Sequence, residues 1–262
     1  MSEEISNKHK PSLTVTDQIN WGPGLAVLVT VVVFVLAEYL GAQITVIYPV
    51  IKHWTSSQTT NWLNNSIYAQ FFYTLIAEAI TFGVIWLFIK WRKDKLSVIG
   101  LVKPKLQDIA YALTGLAIYF PAYIAAVFGL SSLIHGLNIN QQQQIGFSQS
   151  TTGWPLVLVF ISLVVLPPIV EEILFRGFLY SGLKKSLPKI WAVLLTCTIF
   201  AAPHLLEGGS SGLLWVAGID TFILSLVLIW LREKTGRLYA SMGLHALKNF
   251  IAFASLFLLH AH

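Results

Sequence analysis

Residues 155–182 read PLVLVFISLVVLPPIVEEILFRGFLYSG. From Pro155 to Val170 there is no charged side chain, and the run with its continuation is long enough to cross a bilayer, which takes about 20 mostly apolar residues. Glu171, Glu172 and Arg176 then follow inside the same apolar stretch. An ionisable group at membrane depth costs about 2.5–3.5 kcal/mol even on the milder insertion scales, so each one calls for a partner or a function.

Outward from this stretch, the chain repeats its apolar half. Apolar segments are expected at 24–48, 66–89, 108–134, 155–182, 190–206, 212–231 and 238–259. Of the 262 residues, 55% are hydrophobic and 11% charged, against about 25% charged in soluble domains. Backbone polar groups cannot stay unpaired in lipid, so such runs are helices. The expected fold class is all-α, a polytopic transmembrane helical bundle with seven to eight membrane helices. Residues 1–21 read as a polar cytoplasmic tail without the apolar core of a cleavable signal peptide, and 22–262 as a single bundle. Pro121 and the pair Pro167-Pro168 predict kinks or breaks; the fourth segment could thus divide into two half-helices, giving the eighth.

The formal charge of +5 does not point to nucleic acid, because the basic residues sit at segment ends. With the N-terminus in the cytoplasm, all of the 17 Lys and Arg except Lys52, Arg176 and Lys248 fall in the tail or in inner connections. The positive-inside rule then sets a multi-pass cell-membrane protein with its N-terminus cytoplasmic and its C-terminus extracytoplasmic. Cys197 is the single cysteine, so an intrachain disulfide is impossible. Trp21, Trp54, Trp62, Trp91 and Trp154 fall near segment ends, as interfacial anchors do.

Chemistry concentrates in three clusters: Glu171, Glu172 and Arg176; Phe200, Pro203 and His204; His245, Lys248 and Asn249. Glu172 and Arg176 are four apart and share a helix face, where an ion pair can form. Glu171, turned by about 100°, keeps no obvious local partner and is the better candidate for a general base. His245 and Asn249 are also four apart and can donate to a developing oxyanion. Alternatively, Glu171, His204 and His245 form an acceptable catalytic zinc shell with an open position, although the helical H-E-x-x-H arrangement is absent. Counting about 1.5 Å per residue from the inner segment ends puts Glu171, His204, His245 and Asn249 at a common depth of roughly 10–21 Å. Glu38, Glu78, Asp220 and Lys248 also lie in segments, where packing roles are expected; for Lys248 these include snorkelling or pairing with a carboxylate such as Asp220 or Glu78.

The ordered motifs E-E-x-x-x-R, F-x-x-x-H and H-x-x-x-N, with Phe175, Gly177, Phe178 and Tyr180 around the arginine, resemble the CPBP intramembrane proteases, also called the Abi or CAAX protease family. The resemblance covers about residues 154–255. It implies an intramembrane endopeptidase in which Glu171 and His204 activate water, His245 and Asn249 stabilise the oxyanion, and Glu172 with Arg176 hold the site together. It implies no certain cofactor, with one divalent metal (zinc) an open alternative. The partners implied are membrane lipids and a peptide or membrane-protein substrate, lipidated substrates included, and no nucleic acid. The competing functions are a non-catalytic bacteriocin self-immunity or secretion-associated membrane protein and, at greater distance, a secondary transporter. The topology has a direct check: a cysteine introduced at position 262 should react with an impermeant reagent added outside intact cells, and labelling from the cytoplasm alone reverses the orientation.

Overall fold

The structure, a computed structural model, describes residues 19–134, 138, 146–148, 151–207 and 212–259. The tail to residue 18 with Lys8 and Lys10, the glutamines at 141–144, and His135, His260 and His262 lie outside the described residues. Eight helices are labelled here: α1 (Pro23–Ile51), α2 (Ser56–Asn65), α3 (Ile67–Trp91), α4 (Gln107–Leu133), α5 (Pro155–Lys184), α6 (Lys189–Ala201), α7 (Trp215–Thr235) and α8 (Tyr239–Phe253). Seven of them, all but the short α2, are long and apolar enough to cross a membrane, alone or with their terminal turns. No strand occurs among the described residues.

α1 packs along α3, α4 packs on α7 and α8, and α6 packs on α7. The buried face of α1 is mostly small, with Ala26, Thr30, Ala37, Gly41 and Thr45, and it meets Ala69, Ala77 and Thr81 of α3. Lipid offers no hydrophobic drive between helices, so close van der Waals contact between small residues must hold them. Gly41 shows how close: a Cβ there would lie 3.2 Å from the Ala77 Cβ. α2, which the apolar pattern did not announce, is a short amphipathic helix opened by a capping box, in which Thr55 and Gln58 satisfy each other's backbone N–H groups.

Of the two outcomes open for the fourth segment, a kinked single span or two half-helices, the structure has the single span. α5 runs as one span from Pro155 to Lys184, α-helical with two π-helical stretches, Ile161–Val165 and Glu172–Leu179. The first π stretch immediately precedes the Pro167-Pro168 pair, so the widened turn absorbs the proline clash that would otherwise break the helix. α4 likewise continues through Pro121. Trp21 also departs from expectation. It is 2% exposed, stacks on Phe178 at 5.0 Å and donates its indole N–H to the Phe178 carbonyl. It is a core residue, whereas Trp91 and Trp154 are exposed at helix ends.

At the end of the bundle that carries the basic connections, Arg237 grips Asp108 through Nε at 3.0 Å and Nη2 at 2.7 Å, joining the start of α4 to the start of α8. Lys184 and Lys189 both hold Glu233, at 2.5 and 2.9 Å.

The α1–α5 crossing is tight enough to predict a substitution. A Cβ on Gly182 would lie 2.6 Å from both the Ala26 Cβ and the Trp21 ring, so Gly182→Ala should cost about 1–3 kcal/mol of stability by overpacking. Gly129→Ala, with open space around it, should cost nothing in the same thermal unfolding measurement in detergent.

Candidate active site

The second π stretch of α5 supplies the centre of the site. Arg176 Nη1 lies 2.8 Å from Glu172 Oε1, and both side chains are fully buried. A buried charge is tolerated only when it is paired, and the arginine provides a permanently charged partner one turn away. Its guanidinium also lies over the Phe200 ring, 4.1 Å from the centroid, a cation–π contact that is strong when desolvated. Glu172 Oε2 and Arg176 Nε and Nη2 have no hydrogen-bond partner among the described residues.

Phe200 explains why an aromatic residue stands one turn before His204. Its ring meets Arg176 on its face, His204 and His245 edge-on with centroids 5.5 and 5.9 Å away, and Phe175 at 5.0 Å. α5, α6 and α8 are thereby locked around one ring.

His245 is fixed between the two adjacent glutamates. Its Nδ1 is 3.2 Å from Glu172 Oε1, and its Nε2 is 3.8 Å from Glu171 Oε2. A carboxylate at Nδ1 holds the proton there and turns the other ring nitrogen toward the site. The glutamates themselves differ: Glu172 is closed off, while the Glu171 side chain is 21% exposed.

His204 is positioned by a different device. α6 ends at Ala201, and Pro203–Leu206 form a 3-10 turn. Residues three apart eclipse in such a turn, which brings Glu207 to His204 with Nδ1 to Oε1 at 2.6 Å. Glu207 was not anticipated from sequence; the signal was its spacing in His204-Leu-Leu-Glu207. The Nε2 of His204 is left for the site, and the ring lies within electrostatic reach of Glu171.

Asn249 reaches α5 by another route. Pro167 has no N–H to give to the carbonyl four residues back, and that carbonyl, of Leu163, accepts a 2.9 Å hydrogen bond from Asn249 Nδ2. One N–H of the amide is thus spent on α5 and the other remains.

The remaining intramembrane charges find partners outside this centre. Lys248 pairs with Asp220 at 2.9 Å, and the Tyr119 hydroxyl donates to the same carboxylate. The Tyr73 hydroxyl donates to Glu38. Glu78 stands in the electrostatic field shared by Glu38 and Glu171.

The metal alternative of Glu171, His204 and His245 stays open beside the metal-free one, since a histidine whose Nδ1 is held by a carboxylate keeps Nε2 for a ligand role as well as for a water. Among the described residues no three His, Cys, Asp or Glu side chains are grouped as a ready-made metal set; His204 and His245 each turn Nδ1 to a glutamate. An apolar groove of about 440 Å³, lined in part by Thr30, Phe34, Phe175, Ile199 and Pro203, runs beside the site between α1, α5 and α6.

The family model described as type II CAAX prenyl endopeptidase, Rce1-like, matches residues 153–251. That stretch takes in α5 to α7 and most of α8, and with them all six residues singled out from the sequence. Comparison with curated proteins gave no match, and neither did comparison with solved structures.

The geometry predicts how Arg176 contributes. Arg176→Met strands Glu172 as an unpaired buried charge and should cost about 3–5 kcal/mol. Adding Glu172→Gln should restore part of that loss. Denaturant or thermal unfolding of the single and double variants in micelles measures both.

Proposed function

On the premise that residues 153–251 are a CAAX-endopeptidase domain of the CPBP family, we propose that this protein is an intramembrane endopeptidase that hydrolyses a peptide bond at or in the membrane, using water activated by Glu171 and His204. The observation that carries this reading is the contrast between two neighbouring carboxylates. Glu172 is sealed in an ion pair, whereas Glu171 is partly open and faces the Nε2 of His245 at 3.8 Å.

Glu171 is the general base. It takes a proton from the attacking water as the water oxygen bonds to the scissile carbonyl carbon. Glu207 keeps the proton of His204 on Nδ1, so the Nε2 lone pair accepts from the same water and orients it. The negative charge that develops on the carbonyl oxygen is met by the free N–H of Asn249 and by His245. With Nδ1–H directed at Glu172, a neutral His245 offers a lone pair at Nε2. The proton captured by Glu171 can pass to that nitrogen, so the donor arises as the oxyanion forms. Collapse of the tetrahedral intermediate breaks the C–N bond, and the same proton goes to the leaving amine. Glu172 and Arg176 touch no reacting atom; they hold His245 and Phe200 in place. No step runs through a metal ion.

The substrate class is a peptide or a membrane protein. The apolar groove beside Pro203 favours one with an apolar or lipid-bearing segment. The basic connections support an N-terminus in the cytoplasm and a C-terminus outside.

Glu171→Ala should abolish cleavage while the protein stays folded in the membrane, and Asn249→Ala should lower kcat by about 10²–10³. The test compares peptides released from membranes carrying the wild type or each variant, with a chelator arm and metal analysis of the purified protein. Full activity in Glu171→Ala ends the reading. A protective or secretion phenotype that survives loss of Glu171 and His204 favours a non-catalytic partner protein instead.

A further inference from the structure

Away from the site, at the basic end of the bundle, a cavity of about 310 Å³ lies between α5, α7 and the connection after α3. Its wall includes Val98, Tyr180, Ser181, Lys184, Arg232 and Glu233. The charges there are unevenly matched. Glu233 is held on both oxygens by Lys184 and Lys189, so its charge is already answered. Arg232 Nε is buried and has no hydrogen-bond partner among the described residues. The Tyr180 hydroxyl is buried beside it, the residue being 2% exposed; it lies close to Glu233 and makes no hydrogen bond of good geometry.

An orphaned guanidinium N–H on a cavity wall, with a hydroxyl poorly placed for its one neighbouring acceptor, calls for a further acceptor, because buried polar groups are nearly always paired. The position of the guanidinium is also built rather than incidental. Gly100 adopts a left-handed φ of +88°, and a Cβ there would fall 2.6 Å from the Arg232 Cζ; only a glycine leaves room for the guanidinium where it stands. A planar guanidinium fork beside two hydroxyls, Tyr180 and Ser181, matches a tetrahedral oxyanion bearing several acceptor oxygens. The surrounding connections carry Lys95, Lys103, Lys105 and Lys185, which draw anionic headgroups to this end of the bundle.

We propose that this cavity binds a phosphate group, received by Arg232 and Tyr180, and that its source is the headgroup of an anionic phospholipid. The site is separate from the hydrolytic centre, so the inference stands whether or not the proposed reaction is correct.

The test uses the full chain in nanodiscs of phosphatidylcholine, in nanodiscs containing phosphatidylglycerol, and in phosphatidylcholine nanodiscs with inorganic phosphate added. A ligand that binds the folded state raises the unfolding temperature in proportion to its saturation. Phosphatidylglycerol should raise that temperature in the wild type. Arg232→Gln and Tyr180→Phe should each weaken the apparent affinity, Arg232→Gln by about tenfold or more, as expected for loss of a charge-assisted donor. Lys234→Gln, an exposed neighbour outside the cavity wall, should leave it unchanged. Tyr180→Phe keeps the ring packing, so it tests the site even if Arg232→Gln fails to fold. A shift with inorganic phosphate as large as that with the lipid keeps the phosphate site but overturns the lipid as its source. No shift with either probe, or a shift that both cavity variants retain in full, overturns the proposal.

Discussion

Everything around the centre depends on the cost of burying the charge of Glu172 where neither water nor an exposed surface can answer it. Arg176, one turn away, supplies the counter-charge, yet the pair alone would be a poor bargain in an apolar bundle. The structure distributes the charge further. Glu172 also faces His245 on α8, and Arg176 spreads its charge over Phe200 on α6. The three helices therefore cannot slide past one another without exposing a bare ion to hydrocarbon. What fixes the bundle also fixes the histidine.

The orientation of each histidine comes from a neighbouring carboxylate rather than from crowding by apolar side chains. Glu172 does this for His245 and Glu207 for His204. In both cases Nδ1 is occupied and the other nitrogen is turned inward, the usual way a protein fixes an imidazole tautomer. Glu171 is held less closely, and the proposed reaction uses it because it is incompletely satisfied.

The fold was legible because bilayer thickness imposes its own ruler: a run of about 20 apolar residues leaves few alternatives to a helix. The pairing of Glu172 with Arg176 followed from helical spacing, and the approach of His245 to Glu171 from common depth; the contact of His245 with Glu172 did not. Other features left no mark that hydropathy can detect. The continuity of α5 depends on π turns, which have no compositional signature, so Pro167-Pro168 read as a kink or a break without deciding between them. Glu207 stands in a polar stretch after the apolar run, where an acid is unremarked, and only the 3-10 turn brings it to His204. Trp21 sits at a segment end like an anchor, and its burial depends on Phe178, a partner far along the chain. For Lys248 the sequence offered two carboxylates, Asp220 and Glu78, and only the fold selects Asp220.

The bond between Asn249 and the Leu163 carbonyl ties two distant positions into one evolutionary unit. Asn249 has that acceptor because Pro167 cannot claim it. Replacing the proline would restore a helical N–H that shares the carbonyl with the asparagine and makes its tether dispensable. A lineage that lost the asparagine would leave a bare carbonyl in hydrocarbon. The two changes are therefore unequal: the asparagine matters most while the proline is present, and the imperfection in α5 is what gives the asparagine its structural work.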